Sequence, residues 1–376
     1  MIVAVDILHI RTFFQTGTAV MAFNLIKGLT KYTKEEYILL LWEGHANFAD
    51  ECIGESLPKI EVPLSFQERS RIKINFCPDF LRRQLENLKV DIVLSTCFTK
   101  ESYIFPRRFH QIGVVHDMQP FKIELANGHI IYTLYNLFYS VLYHRLLENV
   151  VSISNYVSKD IRKYSWRRST VIYNSVNSFS NKEIQIDCLD ETPYILDVNS
   201  FEKYKNTERL IWAFYKMKNE IPHNLYLKGY GCDHKRYKEL QGLLASLEIE
   251  DRVILDVSNR SNEEMNYLYN HADLFVSPST MEGFGLTPIE AALHGIPIIV
   301  SNIETLVEVT DNKVKTFNPR SIDSIYNTIL SVIRNPPSKE ELISLADYFR
   351  TKYSLKRQIR DYYALMCNKL KKIEKP

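Results

Sequence analysis

Nowhere in the chain do about 18 apolar residues run together, so no membrane-spanning helix is expected. The glycine fingerprint GxGxxG is absent, which removes the commonest dinucleotide-binding signature. The six cysteines, Cys52, Cys77, Cys97, Cys188, Cys232 and Cys367, show no CxxC and no metal-type spacing. They read as reduced thiols of a cytoplasmic protein, and no metal site is expected. Neither sign of charge dominates: the formal net charge is +2 over 376 residues, which gives no general reason to expect a nucleic-acid partner. The chain opens directly into a strand-like run, so no signal peptide is expected. Aromatic residues are plentiful, with 23 Tyr and 19 Phe. At 45% hydrophobic and 24% charged, the balance is that of an ordinary globular protein. Its length predicts two domains, each with a sizeable core.

Short apolar runs alternate with helical spacing along the whole chain. Strands are predicted at Ile2–Asp6, Tyr37–Trp42, Asp91–Ser95, Gln111–Val115, Val150–Ser154 and Val171–Tyr173. Residues 64–88 are rich in Arg and Lys. There, Arg69, Arg71, Lys73, Arg82 and Arg83 form either a basic face toward anionic lipid headgroups or a solvated helix face. Residues 129–147 are read as a packed helix, because Asn136, His144 and Arg145 interrupt its apolar positions. Residues 177–191 are polar and lack periodicity, which makes them the expected linker. Beyond it, strands are predicted at Tyr194–Val198, Asn224–Lys228, Arg252–Leu255, Asp273–Ser277 and Ile296–Val300. Leu210, Ile211, Phe214 and Met217 share one face of a helix over 207–218. An amphipathic basic helix closes the chain. Repeated strand–helix alternation on both sides of one linker predicts an α/β protein with two doubly wound, Rossmann-like domains facing across a cleft.

The stretch Ser277 to Gly295 draws the most chemistry together. A strand ends there, a glycine-punctuated turn follows, and a short helix begins. The amides of Phe284, Gly285, Leu286 and Thr287 are placed to face an anion, most simply a phosphate. Glu282 and Glu290 bracket them. Thr287 is a plausible N-cap with Pro288 in the first helical position, so Glu290 also fits a capping box. Glu282 in its turn also fits a merely solvated side chain. His116-Asp117 follows a predicted strand directly, a good place for a site, although a lone His is more often structural. Lys228, at another strand end, is the kind of lysine that is usually solvated.

These residues resemble a known family. Glu282-Gly-Phe-Gly-Leu-Thr-Pro-Ile-Glu290 is similar to the E-x7-E signature of retaining GT-B glycosyltransferases, specifically glycosyltransferase family 4. The likeness continues upstream through Tyr267-Leu-Tyr-Asn-His-Ala-Asp-Leu-Phe-Val-Ser-Pro-Ser279 and downstream through Ala291-Ala-Leu-His-Gly-Ile-Pro-Ile-Ile-Val-Ser-Asn302. It is looser before residue 193, where Thr16-Gly17, His116-Asp117, Val151-Ser-Ile-Ser154 and Val171-Ile-Tyr-Asn174 come in the right order. It implies a GT-B fold with an acceptor-side domain over 1–176, a linker over 177–191 and a nucleotide-sugar-binding domain over 192–350. A final helix over 351–376 is expected to pack back toward the first domain.

The resemblance also implies roles. Glu290 accepts from the donor's ribose hydroxyls and Glu282 holds hydroxyls of the donor sugar. Lys205 faces the diphosphate, and Gly17 lets backbone approach it. His116 sits by the sugar at the reaction centre, and loop 256–261 lies near the base. The implied activity is retaining, metal-independent transfer of a hexose, with mannose from GDP-mannose as first choice. The acceptor is a glycan or lipid-linked oligosaccharide of a surface polysaccharide. No cofactor and no nucleic acid are expected. The expected location is the cytoplasm, with peripheral contact to an anionic membrane. The rival readings are a sugar-nucleotide epimerase and a non-catalytic glycan-binding module on a decayed transferase. The chain departs from the family pattern where Ser200 or Tyr204 occupies a position at which arginine is frequent, and at Ala19, which replaces a glycine.

Overall fold

The computed structural model describes all residues except 14–16, 68–73, 119–121, 123–128, 177–181, 187–191, 231–233 and 372–376. The chain divides into two compact units, Met1–Ser175 with Tyr353–Pro376, and Val176–Lys352.

The first unit is built on seven parallel strands: β1 (Ile2–Asp6), β2 (Glu36–Trp42), β3 (Lys59–Val62), β4 (Ile92–Ser95), β5 (Ile112–Val115), β6 (Asn149–Ser152) and β7 (Thr170–Val171). Their order is β3-β2-β1-β4-β5-β6-β7. Val3 pairs with Tyr37 on one side and Ile92 on the other. Most of these strands are apolar at every position because helices cover both faces of a parallel sheet. The Gly17–Tyr32 helix buries Ala22, Ile26 and Leu29. The final helix, Leu355–Lys371, lies against it at Gly28, where an added Cβ would come within 2.6 Å of Ile359. Ser175 Oγ to Gln358 Oε1 (2.8 Å) and Tyr363 OH to Glu35 Oε1 (2.9 Å) fix its position along the unit.

The Ile130–Leu146 helix corrects the expectation of a packed helix. Its outward side carries Ile130, Ile131, Leu134 and Phe138, with Ile131 81% exposed. Its inward side is largely polar: Thr133, Asn136, Tyr143 and His144 are buried. Asn136 accepts from Lys100, Tyr143 OH accepts the Asn75 N–H at 2.8 Å, and His144 Nδ1 pairs with Ser165 Oγ at 2.9 Å. Polar anchoring on the inside thus leaves an apolar stripe on the outside. Among the described residues, no helix is long and apolar enough to cross a membrane. Of the basic set, Arg82 is tied to Asp79 and Glu86 on the Asp79–Asn87 helix, while Arg69, Arg71 and Lys73 lie outside the described residues.

The second unit repeats the plan with β8 (Tyr194–Asn199), β9 (Asn224–Gly229), β10 (Val253–Asp256), β11 (Leu274–Ser277), β12 (Ile298–Ser301) and β13 (Lys315–Phe317). The order is β10-β9-β8-β11-β12-β13, again all parallel. The Thr207–Met217 helix seals one face with Leu210, Ile211, Phe214 and Met217, each fully buried. At roughly 2 kcal/mol for each such side chain, this stripe is a main anchor of the helix. Of the expected linker, residues 182–186 carry no helix or strand. They are held to the Asn262–Asn270 helix by Asn266 Nδ2 to Lys182 O at 2.8 Å. The rest of 177–191 lies outside the described residues.

Candidate active site

In each unit the strand order reverses beside the first strand, between β1 and β4 and between β8 and β11. Loops leaving the carboxyl ends of strands on the two sides of such a switch point diverge and leave room for a ligand. In the second unit those loops are residues 200–206 after β8 and 278–285 after β11. They carry Lys205 and Glu282.

Lys205 Nζ donates to Glu282 Oε1 at 2.8 Å, and both side chains are mostly buried. The same carboxylate oxygen accepts from Ser279 Oγ at 2.7 Å, and Thr305 Oγ1 donates to the Glu282 carbonyl at 2.9 Å. The loop bearing Lys205 is clamped to its neighbour. Thr280 N–H meets Tyr204 O at 2.7 Å, and the Asn206 amide donates to the Pro278 and Pro319 carbonyls. Asn206 takes the left-handed conformation (φ 63°) that ends the turn and starts the Thr207–Met217 helix. Asp197, on β8, completes the cluster. Burial pushes its carboxyl well above the usual range, against the pull of Lys205 and of the Asn199 amide 2.6 Å away, while Glu282 pushes it further up. Burial thus favours the protonated form of Asp197, and the ion pair of Lys205 is with Glu282.

The helix after this turn is Leu286–Leu293, and its N-cap is Gly285 (φ 88°) with no side-chain cap. This corrects the capping reading: Thr287 is the second helical residue and Pro288 the third. Glu290 is not engaged in a capping box. A side chain at residue 285 would be strained by φ and would meet Leu306 at 2.5 Å, so glycine is required. The first amides of the helix, Leu286 and Thr287 among them, supply the positive end of its dipole next to Glu282.

Glu290 is enclosed by protein on most sides, and burial raises its carboxyl to about 7. Tyr269 OH, 3.2 Å from Oε2, pulls in the opposite direction. The Tyr269 ring is fixed in turn by stacking on His294, with centroids 5.0 Å apart. Lys228 corrects the solvated reading. It is fully buried, and its Nζ donates to the carbonyls of Gly229 (2.9 Å) and Ser258 (2.7 Å). Asp256 beside it is buried too, yet hydrogen bonds from Ser258, Tyr226 and Arg260 bring it down to about 2. Loop 256–260 is thereby internally braced, and Lys228 is committed to it. Among the described residues, no group of three or more His, Cys, Asp or Glu is arranged to hold a metal ion.

In the first unit, His116 follows β5 directly. Its Nε2 lies 2.8 Å from the Thr96 carbonyl, so that nitrogen carries the proton. Burial lowers its pKa against that hydrogen bond and the Asp117 charge, so the ring is neutral at pH 7. Gly17 is the first residue of the Gly17–Tyr32 helix, and a Cβ there would meet nothing within 4 Å. Thr16 lies outside the described residues.

Residues 180–347 match the family described as glycosyl transferases group 1. The chain is 30% identical over 240 residues to the O-antigen chain mannosyltransferase RfbU of Salmonella typhimurium, covering 62% of this chain and 64% of that protein. It spans less than two thirds of the length of this and the other leading curated relatives. Two solved structures superpose on nearly the whole chain. Sucrose-phosphate synthase from Thermosynechococcus elongatus has a TM-score of 0.74 at 16% identity and covers 98% of this chain and 99% of its own. Anabaena HepE in complex with UDP and glucose has a TM-score of 0.74 at 14% identity and covers 98% and 100%. This is a GT-B fold.

Within that GT-B fold, the second unit collects Lys205, Glu282, Phe284, Gly285, Leu286, Thr287 and Glu290 on loops and a helix at one sheet edge. His116 and Gly17 stand at the corresponding edge of the first unit. Phe284 contributes a buried side chain. The sequence reading missed Asp197, Ser279, Thr305 and Tyr269. For Asp197 a signal was present, a single acid inside the apolar run Tyr194-Ile-Leu-Asp-Val198.

Proposed function

We propose that the protein is a retaining, metal-independent glycosyltransferase. It moves a hexose from a nucleotide-sugar donor, with GDP-mannose as first choice, to a glycan or lipid-linked acceptor of a surface polysaccharide. The observation that carries this reading is the Lys205–Glu282 pair, with Glu282 in the turn that leads into the Leu286–Leu293 helix. A fixed cation and a helix N-terminus suit a leaving diphosphate, on which negative charge develops as an oxocarbenium-like sugar forms. Glu282, oriented by Lys205 and Ser279, has lone pairs left for sugar hydroxyls. Glu290, oriented by Tyr269, accepts from the ribose. His116 is assigned to the donor sugar. The bond from the anomeric carbon to the phosphate oxygen breaks as the bond to the acceptor oxygen forms on the same face. The acceptor's proton passes to the departing phosphate oxygen. The O-antigen chain mannosyltransferases among the relatives support mannose as the first donor to try.

Peripheral contact with an anionic membrane, on its cytoplasmic side, belongs to the same reading. It is supported by the outward apolar stripe of the Ile130–Leu146 helix, which contains no acidic residue.

The test is a melting-temperature panel of GDP, UDP, dTDP and ADP with EDTA present. A rise with one diphosphate is expected, and it names the base. No response to any of them favours a non-catalytic module. With the donor so identified, Glu282→Gln should abolish transfer with little change in melting temperature; full activity removes Glu282 from the mechanism.

A further inference from the structure

We infer that Tyr230 is a donor-binding residue on whose ring the nucleobase stacks, with Val257 beside it. The inference rests on the transferase reading above and adds a side chain outside the residues that carry the family resemblance. Tyr230 is the first residue after β9 and Val257 the first after β10. Lys228 pairs with Asp256 across those strands, so both side chains leave neighbouring strand ends just beyond the same rung. The order β10-β9-β8-β11 then sets Val257, Tyr230, the loop of Lys205 and the turn of Glu282 in sequence along the carboxyl edge. A donor with its diphosphate at Lys205 and its sugar at Glu282 has its nucleoside end at β9 and β10.

Three contacts fix the Tyr230 ring. Its backbone N–H donates to the Asn199 carbonyl at 3.0 Å, and its hydroxyl meets Met265 Sδ at 3.2 Å. Lys228 Nζ lies over the ring, 4.8 Å from its centroid. Lys228 is fully buried, so it takes the inner face. Tyr230 is nevertheless 43% exposed, and that exposure falls to the opposite face; Val257 beside it is 41% exposed. Burial, then the charges of Glu290 and Asp256, push the Tyr230 hydroxyl above its usual range, which puts the ring within electrostatic reach of the carboxylate assigned to the ribose. A large ring held in one plane and open to water on one face is preorganised for a flat partner. The charged groups around it are spent on one another: Arg260 bonds Asp256 and Glu264, and Lys228 bonds the Gly229 and Ser258 carbonyls. Such a surface suits a heteroaromatic base, which always has a π face to offer. It suits a sugar ring less, because hydroxyl groups need polar partners.

The test uses the whole chain with 13C-labelled tyrosine rings, and GDP, UDP, dTDP, ADP and inorganic pyrophosphate as probes. The Tyr230 signal among the 23 tyrosines is identified by its loss in Tyr230→Phe. The nucleotide that raises the melting temperature should shift the Tyr230 ring signals upfield through its ring current, and pyrophosphate should leave them in place. In calorimetry, Tyr230→Ala should bind that nucleotide about 10- to 100-fold more weakly, the worth of one base–aromatic stack. Tyr230→Phe, which keeps the ring, should bind as the wild type does. Ring signals unmoved by every nucleotide overturn the inference, as does an equal shift with pyrophosphate. So does a wild-type Kd in Tyr230→Ala. So does a Tyr230→Phe variant as weak as Tyr230→Ala, which would make the hydroxyl the contact. Failure of the transferase reading shows separately, as a wild-type chain that binds a nucleotide on Tyr230 yet transfers no sugar from any nucleotide donor.

Discussion

Replacing Glu290 with Gln should stabilise the protein at pH 8 and weaken its grip on a nucleotide. Burial raises this carboxyl from 4.5 to about 7. Each tenfold in proton affinity is about 1.4 kcal/mol, so ionising it in the folded chain costs about 3 kcal/mol. Between pH 4.5 and 7 the folded state holds a proton that the unfolded chain has released. Stability therefore falls as pH rises through that window and levels off above it. Glutamine is neutral at every pH and nearly the same shape. The variant should match the wild type near pH 4.5 and exceed it by up to about 3 kcal/mol at pH 8, read from denaturant unfolding. Function should move the other way. Ribose hydroxyls bond best to the ionised carboxylate, so nucleoside diphosphate binding should release a proton below pH 7. Wild-type affinity should then rise with pH, by up to tenfold for each unit of pKa the ligand restores. The variant should lose that added slope, which separates it from the titration of the diphosphate itself. A wild-type-minus-variant stability difference that is flat from pH 5 to pH 8 refutes the argument. So does an identical pH slope for binding in the two proteins.

Lys205→Met should weaken diphosphate binding by about 10- to 100-fold in calorimetry, the worth of one charge-assisted hydrogen bond; an unchanged Kd would take Lys205 out of the phosphate site. Gly285→Ala should cost roughly 1–2 kcal/mol from the left-handed backbone alone, and more from the contact with Leu306. Adding Leu306→Ala should relieve only the second part, so a single variant as stable as wild type contradicts the turn geometry. Ile131→Glu with Leu134→Glu should abolish flotation with anionic liposomes at unchanged far-UV dichroism. Wild-type protein that stays at the bottom of the gradient would remove the membrane contact.

Most of the strand framework was legible because buried parallel strands are short apolar runs, and β1 occupies the expected residues. Three readings were not, each for a physical reason. The start of the Leu286–Leu293 helix was read from Thr287-Pro288, a sound cap pattern, but Gly285 can take φ 88° and lets the helix begin earlier. Lys228 was read as solvated because strand ends usually are; here the carbonyls that enclose it come partly from Ser258, 30 residues on. The orientation of the Ile130–Leu146 helix was hidden because apolar residues surround it on nearly every side, so spacing could not tell inside from outside. What decides is where Asn136 and His144 find partners, at Lys100 and Ser165, which no local pattern encodes.

The same limit explains why Asp197 was passed over while Glu282 was not. Glu282 announces itself through neighbours in sequence, whereas Asp197 matters through neighbours in space. Lys205 and Glu282 stand 77 residues apart and meet because β8 and β11 are adjacent while the connections that follow them run to opposite sides. The strand order therefore does chemical work. It sets Lys205, Glu282 and the buried Asp197 around one point at a sheet edge. The family resemblance picks out Lys205 and Glu282 but passes over Asp197. A change that left every motif residue in place but unseated the loop clamp at Asn206 should damage nucleotide binding as surely as the loss of Lys205 itself.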